Sequence, residues 1–251
     1  GKRYEIDFEA FEKDIEDNNV KLYILCNPHN PVGRVWTAEE LRTLLDICKN
    51  HHVMVISDEI HQDIINPGLG RKKVTAATIG DYDDILITMA AASKTFNMAA
   101  VQNSFIIIPD KDHRERYKTF LKNMSLDHVN GFGYTATEAA LKGAGAWLKE
   151  ALDTIFGNYN YVKERFEKEC PKVEVAELEG TYLVWLDCRG LGMGNEELRD
   201  FMIRKAGLGL NEGWSFGRSL SGFMRLNAAC PRPVLEKAME QLKHAVDARN
   251  A

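Results

Sequence analysis

Four short stretches of this chain set reactive or ligand-gripping side chains directly after runs of β-branched, apolar residues. AAASKTFN at 90–97 follows the run 85–89 and holds Lys94 among small residues. Small neighbours let a bulky group approach an amine, and partial burial lowers its pKa toward nucleophilic competence. The competing reading is that of most lysines, a solvated surface charge. SDEIH at 57–61 follows the run 53–57 and offers Asp58 and His61. A carboxylate at a strand end is either a solvated or capping group or an acid aimed into a site. NPHNPVG at 27–33 follows the run 20–26. Asn, Pro and Gly make turns on steric grounds alone. Two Asn-Pro steps at the carboxyl end of a strand, where α/β sheets bind ligands, also make Asn30 a candidate. GFMRLNA at 222–228 sets Arg225 between apolar residues. Such an arginine pairs with a carboxylate of the protein or clamps a ligand's carboxylate through its planar fork.

The elements that position these stretches are legible from patterning. Apolar runs at 20–26, 53–57, 85–89 and 105–108 read as strands, the last closed by Pro109. Between the first two, Thr37 and Glu40 form the frame of a capping box, and Leu41, Leu44, Leu45 and Cys48 recur at helical spacing behind it. Strands alternating with helices predict a largely parallel sheet covered on both faces, an α/β fold. Residues 134–169 read as helical, with breaks expected around Gly143–Gly145 and at Gly157. Beyond them come a strand at 181–187, a helix at 195–206, a strand at 223–227 and a helix at 231–248 with proline in its opening turn. That second group is an α+β module. The division expected is residues 1–145, a portion of a large domain, and 146–251, a smaller carboxyl-terminal domain. Residues 1–19 read as one charged helix or connector.

Composition narrows the function classes. The chain has 251 residues, 45% hydrophobic and 27% charged, enough to build a core and inconsistent with wholesale disorder. A net charge of −5, with Arg71-Lys72-Lys73 the strongest basic run, argues against nucleic-acid binding and a polybasic membrane anchor. No apolar stretch approaches the roughly 18 residues of a membrane-spanning helix, and no signal peptide opens the chain. The five cysteines are scattered and contain no C-x-x-C pair, which disfavours a disulfide scaffold or a zinc site and suits the cytoplasm. The chain opens on Gly1 rather than Met, so a processed product or a piece of something longer is expected.

Taken together and in this order, NPHNPVGRVWT, SDEIHQDI, SKTFN and FMRLN carry a resemblance. The chain resembles the fold-type I pyridoxal-phosphate (PLP) enzymes of the aspartate aminotransferase superfamily, class I/II. Within it, the wording is most similar to the MalY/PatB-type cystathionine β-lyase (C–S lyase) group. The resemblance implies a mostly parallel PLP-binding large domain, incomplete here, and a small α+β domain. It implies that Lys94 carries the cofactor covalently and shuttles the substrate's α-proton, and that Asp58 binds the protonated pyridine nitrogen. Asn30 and His61 then flank the cofactor's phenolic oxygen, and Arg225 grips the α-carboxylate of an amino-acid substrate. Ser93 contacts the phosphate or serves equally as a small packing residue. GTY at 180–182 falls near the substrate without an assigned role. A homodimer is implied by the resemblance alone.

Two departures qualify it. Eight residues past the lysine, where many aminotransferases carry a phosphate-clamping Arg, this chain has Gln102. The family's phosphate-cradling Gly/Ser loop and its ring-stacking aromatic precede the segment matching Val20, and residues 1–19 supply neither. The chain is therefore expected to be the carboxyl-terminal majority of a longer enzyme, a weak catalyst or inactive alone. Three functions follow in order: a C–S β-lyase acting on cystathionine or cysteine conjugates, an aminotransferase using a 2-oxo acid, and a non-catalytic regulatory or binding module.

Overall fold

A computed structural model of the chain describes residues 3–128 and 130–250. Helix α1 (Phe8–Asp17) leads into strand β1 (Leu22–Cys26), helix α2 (Ala38–Asn50), strand β2 (Met54–Asp58) and strand β3 (Leu86–Ala90). Thr37 and Glu40 satisfy the first turn of α2 reciprocally, and Leu41, Leu44, Leu45, Ile47 and Cys48 turn one face of the helix inward. Strands β1, β2 and β3 are parallel neighbours, and β4 (Phe105–Ile107) pairs antiparallel to β3. Leu25, Val55 and Leu86 line one face and share a core with Leu41, Leu44, Leu45 and Ile15. Coverage of both faces was expected, yet Leu22 and Ile24 on the opposite face of β1 are 51% and 62% exposed. The reason is that α1 and α2 both pack on the Leu25 face.

After β3 come the four-residue helix α3 (Ala92–Thr95), α4 (Lys111–Asn123), α5 (Gly131–Gly143) and the long α6 (Gly145–Glu169). The chain bends at Ala144, within the expected break, but runs straight through Gly157. An interior glycine costs a helix about 1 kcal/mol relative to alanine. Burial of Ile155, Phe156, Tyr159, Val162 and Phe166 on the same helix outweighs that, at about 1.5–3 kcal/mol for each large apolar side chain. Strands β5 (Glu174–Val175), β6 (Leu183–Asp187), β7 (Asn211–Glu212) and β8 (Phe223–Asn227) form a second, wholly antiparallel sheet in the order β5-β6-β8-β7. Strand β6 starts at Leu183 rather than residue 181, because Thr181 sits at φ 70° and turns the chain. The helix expected at 195–206 is α7 (Asn195–Asp200) followed by one wide π turn over Phe201–Lys205. Helix α8 (Arg232–Asn250) packs with α6 over Val184, Leu186, Met224 and Leu226 of this sheet. Among the described residues, no helix is long and apolar enough to cross a membrane.

Candidate active site

Parallel connectivity brings the carboxyl ends of β1, β2 and β3 to one edge. Cys26, Asp58 and Met89 are direct register partners there. The three connections that leave this edge carry Asn30, then Asp58 to His61, then Lys94, which is where an α/β sheet opens to ligands. Strand β8 of the other sheet delivers Arg225 to the same place, and its Nη1–H donates to Asn30 Oδ1 at 2.7 Å. Its Nη2–H donates to Asn211 Oδ1 at 2.9 Å, and the Phe216 ring lies 4.7 Å from the guanidinium carbon. Nε of Arg225 is buried and has no partner among the described residues.

Neighbouring acids on β2 and its exit have opposite fates. Glu59 is fully buried, and its carboxylate accepts from Ser57 Oγ at 2.9 Å, from the Ala76 N–H at 3.0 Å and from the Lys73 ammonium. That carboxylate is neutralised inside the protein. Asp58 remains half-buried at the sheet edge. Among the described residues its carboxylate accepts only the nearby Ile60 N–H, at 3.1 Å, and has no ion pair. Lys73, in the basic run at 71–73, is likewise consumed, whereas Lys94 has neither hydrogen bond nor ion pair among the described residues.

His61 is 3% exposed, its Nδ1 has no partner among the described residues, and Tyr182 stands edge-on to it at 5.3 Å between ring centroids. Burial, and then the nearby charges of Lys94 and Arg225, lower its pKa to about 4. At neutral pH it is therefore an uncharged imidazole. Burial pushes the Tyr182 phenol up, with Arg225 opposing, so this hydroxyl also stays neutral. Burial pulls the Arg225 guanidinium down from its ordinary value, against the influence of Tyr182. Thr95 Oγ1 donates to Asp63 Oδ2 at 2.8 Å, fastening the lysine turn to the chain just past His61. Lys94 and Ser93 also line a cavity of about 460 Å³ with Trp147, Ile155, Tyr182 and Cys230. Gln102 ends a short turn in the left-handed region, at φ 48°.

The structure thus draws Asn30, His61, Lys94 and Arg225 into one locality, with Asp58 at the edge of the same sheet. Sequence reading gave no role to Tyr182 or to Asn211. The signal for Tyr182 was the GTY stretch at 180–182, which the resemblance set near the substrate without a role, and nothing in the sequence pairs Asn211 with Arg225.

The sequence profile for aminotransferase class I and II matches residues 2–242. Cystathionine beta-lyase PatB of Bacillus subtilis (strain 168) is 41% identical over 97% of this chain. The chain spans 62% of that relative's length. The crystal structure of cystalysin from Treponema denticola, which contains a pyridoxal 5'-phosphate cofactor, follows 98% of the chain with a TM-score of 0.94 at 39% identity, and the match covers 62% of cystalysin. The PLP-bound C-S lyase from Staphylococcus hominis follows 97% of it at a TM-score of 0.89 and 36% identity, over 61% of that protein. A profile match running through both sheets, joined to backbone agreement of this order, establishes that the chain belongs to the class I and II aminotransferase family.

Proposed function

We propose that the full-length protein is a PLP-dependent carbon–sulfur β-lyase acting on cystathionine or a cysteine conjugate. The observation that carries this reading is a set of chemically complementary groups left unspent at one sheet edge. Among the described residues, the Lys94 amine, the Asp58 carboxylate apart from one backbone contact, and His61 Nδ1 have no partners. The neighbouring Glu59 and Lys73 are fully paired. An amine, an anion and a neutral ring nitrogen are what an aldehyde-bearing, cationic pyridine ring requires, so the donor set fits PLP. When bound, PLP supplies an aldehyde for amines and an electron-withdrawing ring that takes up the electrons freed at the substrate's α-carbon.

The residues of the chain then have distinct tasks. Lys94 holds the cofactor and, once released from it, takes the α-proton on its Nζ. Asp58 keeps the ring nitrogen protonated by opposite charge. Asn30 and the uncharged His61 hydrogen-bond the phenolic oxygen, and Ser93 contacts the phosphate. Arg225 holds the α-carboxylate: of its five N–H donors two are used by Asn30 and Asn211, which leaves one on each terminal nitrogen for a ligand. Residues 1–145 are assigned to the large, cofactor-binding domain and 146–251 to the small domain. A homodimer in the cytoplasm completes the proposal, and five free cysteines suit that compartment.

The aminotransferase reading is the weaker alternative: it shares the family profile, while PatB and the Staphylococcus hominis relative bear lyase names. Borohydride reduction with PLP, followed by peptide mass mapping, tests the cofactor and the lysine together. The adduct is expected on Lys94, and an adduct on Lys72 or Lys73 overturns the site. Pyruvate released from cystathionine without any 2-oxo acid supports the lyase, and strict dependence on an acceptor supports the aminotransferase.

A further inference from the structure

The segment 178–182, which leads into β6, is threaded between the loops that carry Asn30 and His61. The N–H groups of Glu179 and Gly180 both donate to the Gly33 carbonyl, at 2.9 and 3.0 Å. The Asn66 N–H donates to the Glu179 carbonyl at 2.9 Å, and the Thr181 N–H to the Ile64 carbonyl at 2.8 Å. Such close backbone contact needs glycine. A Cβ at position 180 would lie 2.7 Å from Val35 Cγ2, and one at position 33, where φ is +74°, would lie 2.7 Å from Leu178 Cδ1.

The side chain of Glu179 is the hub of this seam. Its carboxylate is 9% exposed and accepts from the Val35 N–H at 2.8 Å, Arg34 Nε at 3.0 Å, Arg3 Nε at 3.2 Å and Arg71 Nη2 at 3.3 Å. Burial by itself would raise the Glu179 carboxyl pKa, yet the Val35 N–H and Arg34 more than offset it and hold the group ionised. Arg34 is completely buried, forks onto Glu40 at 2.7 and 2.9 Å and lies over the Trp36 ring at 4.5 Å. The acid therefore comes from the carboxyl-terminal half of the chain, and all four donors come from the amino-terminal half. Arg34 and Val35 are the exit of the turn that contains Asn30. That turn is closed by His29 N–H to the Arg34 carbonyl and by Gly33 N–H to the His29 carbonyl, each at 2.7 Å. Fixing Arg34 and Val35 thus fixes Asn30, whose Oδ1 receives Arg225.

We propose that Glu179 is a positioning residue for carboxylate capture: it locks the 29–34 turn so that Asn30 holds the Arg225 fork in its receiving orientation. The proposal rests on the reading above in one respect, that Arg225 grips the substrate's α-carboxylate. Glu179 itself does not touch the substrate. An unlocked turn lets Asn30 drift, and the guanidinium is then held at Asn211 alone.

Two measurements on the full-length protein test this. In the cofactor-free form, hydrogen exchange is compared between wild type and Glu179→Gln. Peptides spanning 28–36 should exchange faster in the variant while those of α8 do not change. Uniform loosening, or none, overturns the proposal. In the PLP-loaded form, binding of L-alanine, an amino acid without a leaving group, is measured in a double-mutant cycle with Arg225→Lys. Glu179→Gln should weaken binding about 10-fold in wild type and no more than about 2-fold in the Arg225→Lys background, because residues acting through one contact are not additive. Unchanged binding, or the same factor in both backgrounds, shows a merely structural role and overturns the proposal. Should Glu179→Gln fail to fold, Glu179→Asp keeps the charge but falls short of the Val35 N–H, and the same outcomes apply. If wild type fails to bind alanine at all, the cofactor reading fails, and the exchange result alone decides for or against Glu179.

Discussion

His61 makes the stability of this protein depend on pH in a way that can be worked from the structure. Its ordinary pKa of 6.5 falls to about 4 in the fold, chiefly through burial and secondly through the Lys94 and Arg225 charges. Between those two values the unfolded chain binds a proton that the native state refuses. Stability from this residue is therefore complete above pH 6.5 and is lost as pH falls toward 4. Going from pH 7 to pH 5, the linkage relation gives a loss of about 2 kcal/mol for this one histidine. His29 is lowered to about 4 as well, by burial and by Arg34, so the pair together should cost about 4 kcal/mol over the same interval. The assay is urea unfolding of the cofactor-free, full-length protein at pH 7 and pH 5, at constant ionic strength, for wild type and His61→Gln. The variant should lose about 2 kcal/mol less than wild type between the two pH values, whatever its stability at pH 7. Depressed carboxylates such as Glu40 and Glu179 contribute mainly below their ordinary range, and they contribute equally to both proteins. Identical losses in wild type and variant would refute the claim that His61 is buried neutral. An NMR titration of the assigned His61 ring resonance with a midpoint near pH 6.5 in wild type would refute it independently.

Arg225→Lys should weaken amino-acid capture by about 10-fold or more while borohydride trapping of PLP on Lys94 persists, because an ammonium cannot replace the two parallel bonds of a guanidinium. Loss of the trapped adduct in that variant would make Arg225 a structural residue. Asp58→Asn should leave trapping on Lys94 intact but slow the exchange of the substrate's α-hydrogen with solvent deuterium by orders of magnitude, because a neutral amide no longer favours a protonated ring nitrogen. Wild-type exchange in the variant would refute the role given to Asp58. Glu59 offers no substitute, since its carboxylate is already held by Lys73, Ser57 and the Ala76 N–H.

Much of the architecture was legible because it is local. Strands β1 to β3 and β8 lie within a residue or two of the apolar runs, and the Thr37–Glu40 box caps α2 as its spacing required. Period and capping depend on neighbours three or four residues away, and a sequence displays those directly. The break at Gly157 failed for the opposite reason. A local propensity of about 1 kcal/mol yields to the burial of side chains against α8 and the second sheet, contacts that no window around Gly157 contains.

The same division runs through the candidate site. Residue types and order alone singled out Lys94, Asp58, His61, Asn30 and Arg225, because the chemistry of an amine, a carboxylate, an imidazole, an amide or a guanidinium belongs to the side chain wherever it sits. Which of these groups stay available was decided only by tertiary contacts. Asp58 and Glu59 are adjacent and alike in sequence, but consecutive residues leaving a strand point to opposite sides. Glu59 therefore turns inward to meet Lys73, while Asp58 stays at the open edge. The neutral charge state of His61 depends on burial and on two cations from β8 and from the turn after β3, and so it exists only once both sheets are in place. Arg34 and Glu179 lie 145 residues apart, and no periodicity or motif joins them. Folding alone removes both charges from water at one point, and a buried charge is tolerated only where an opposite one is delivered to it.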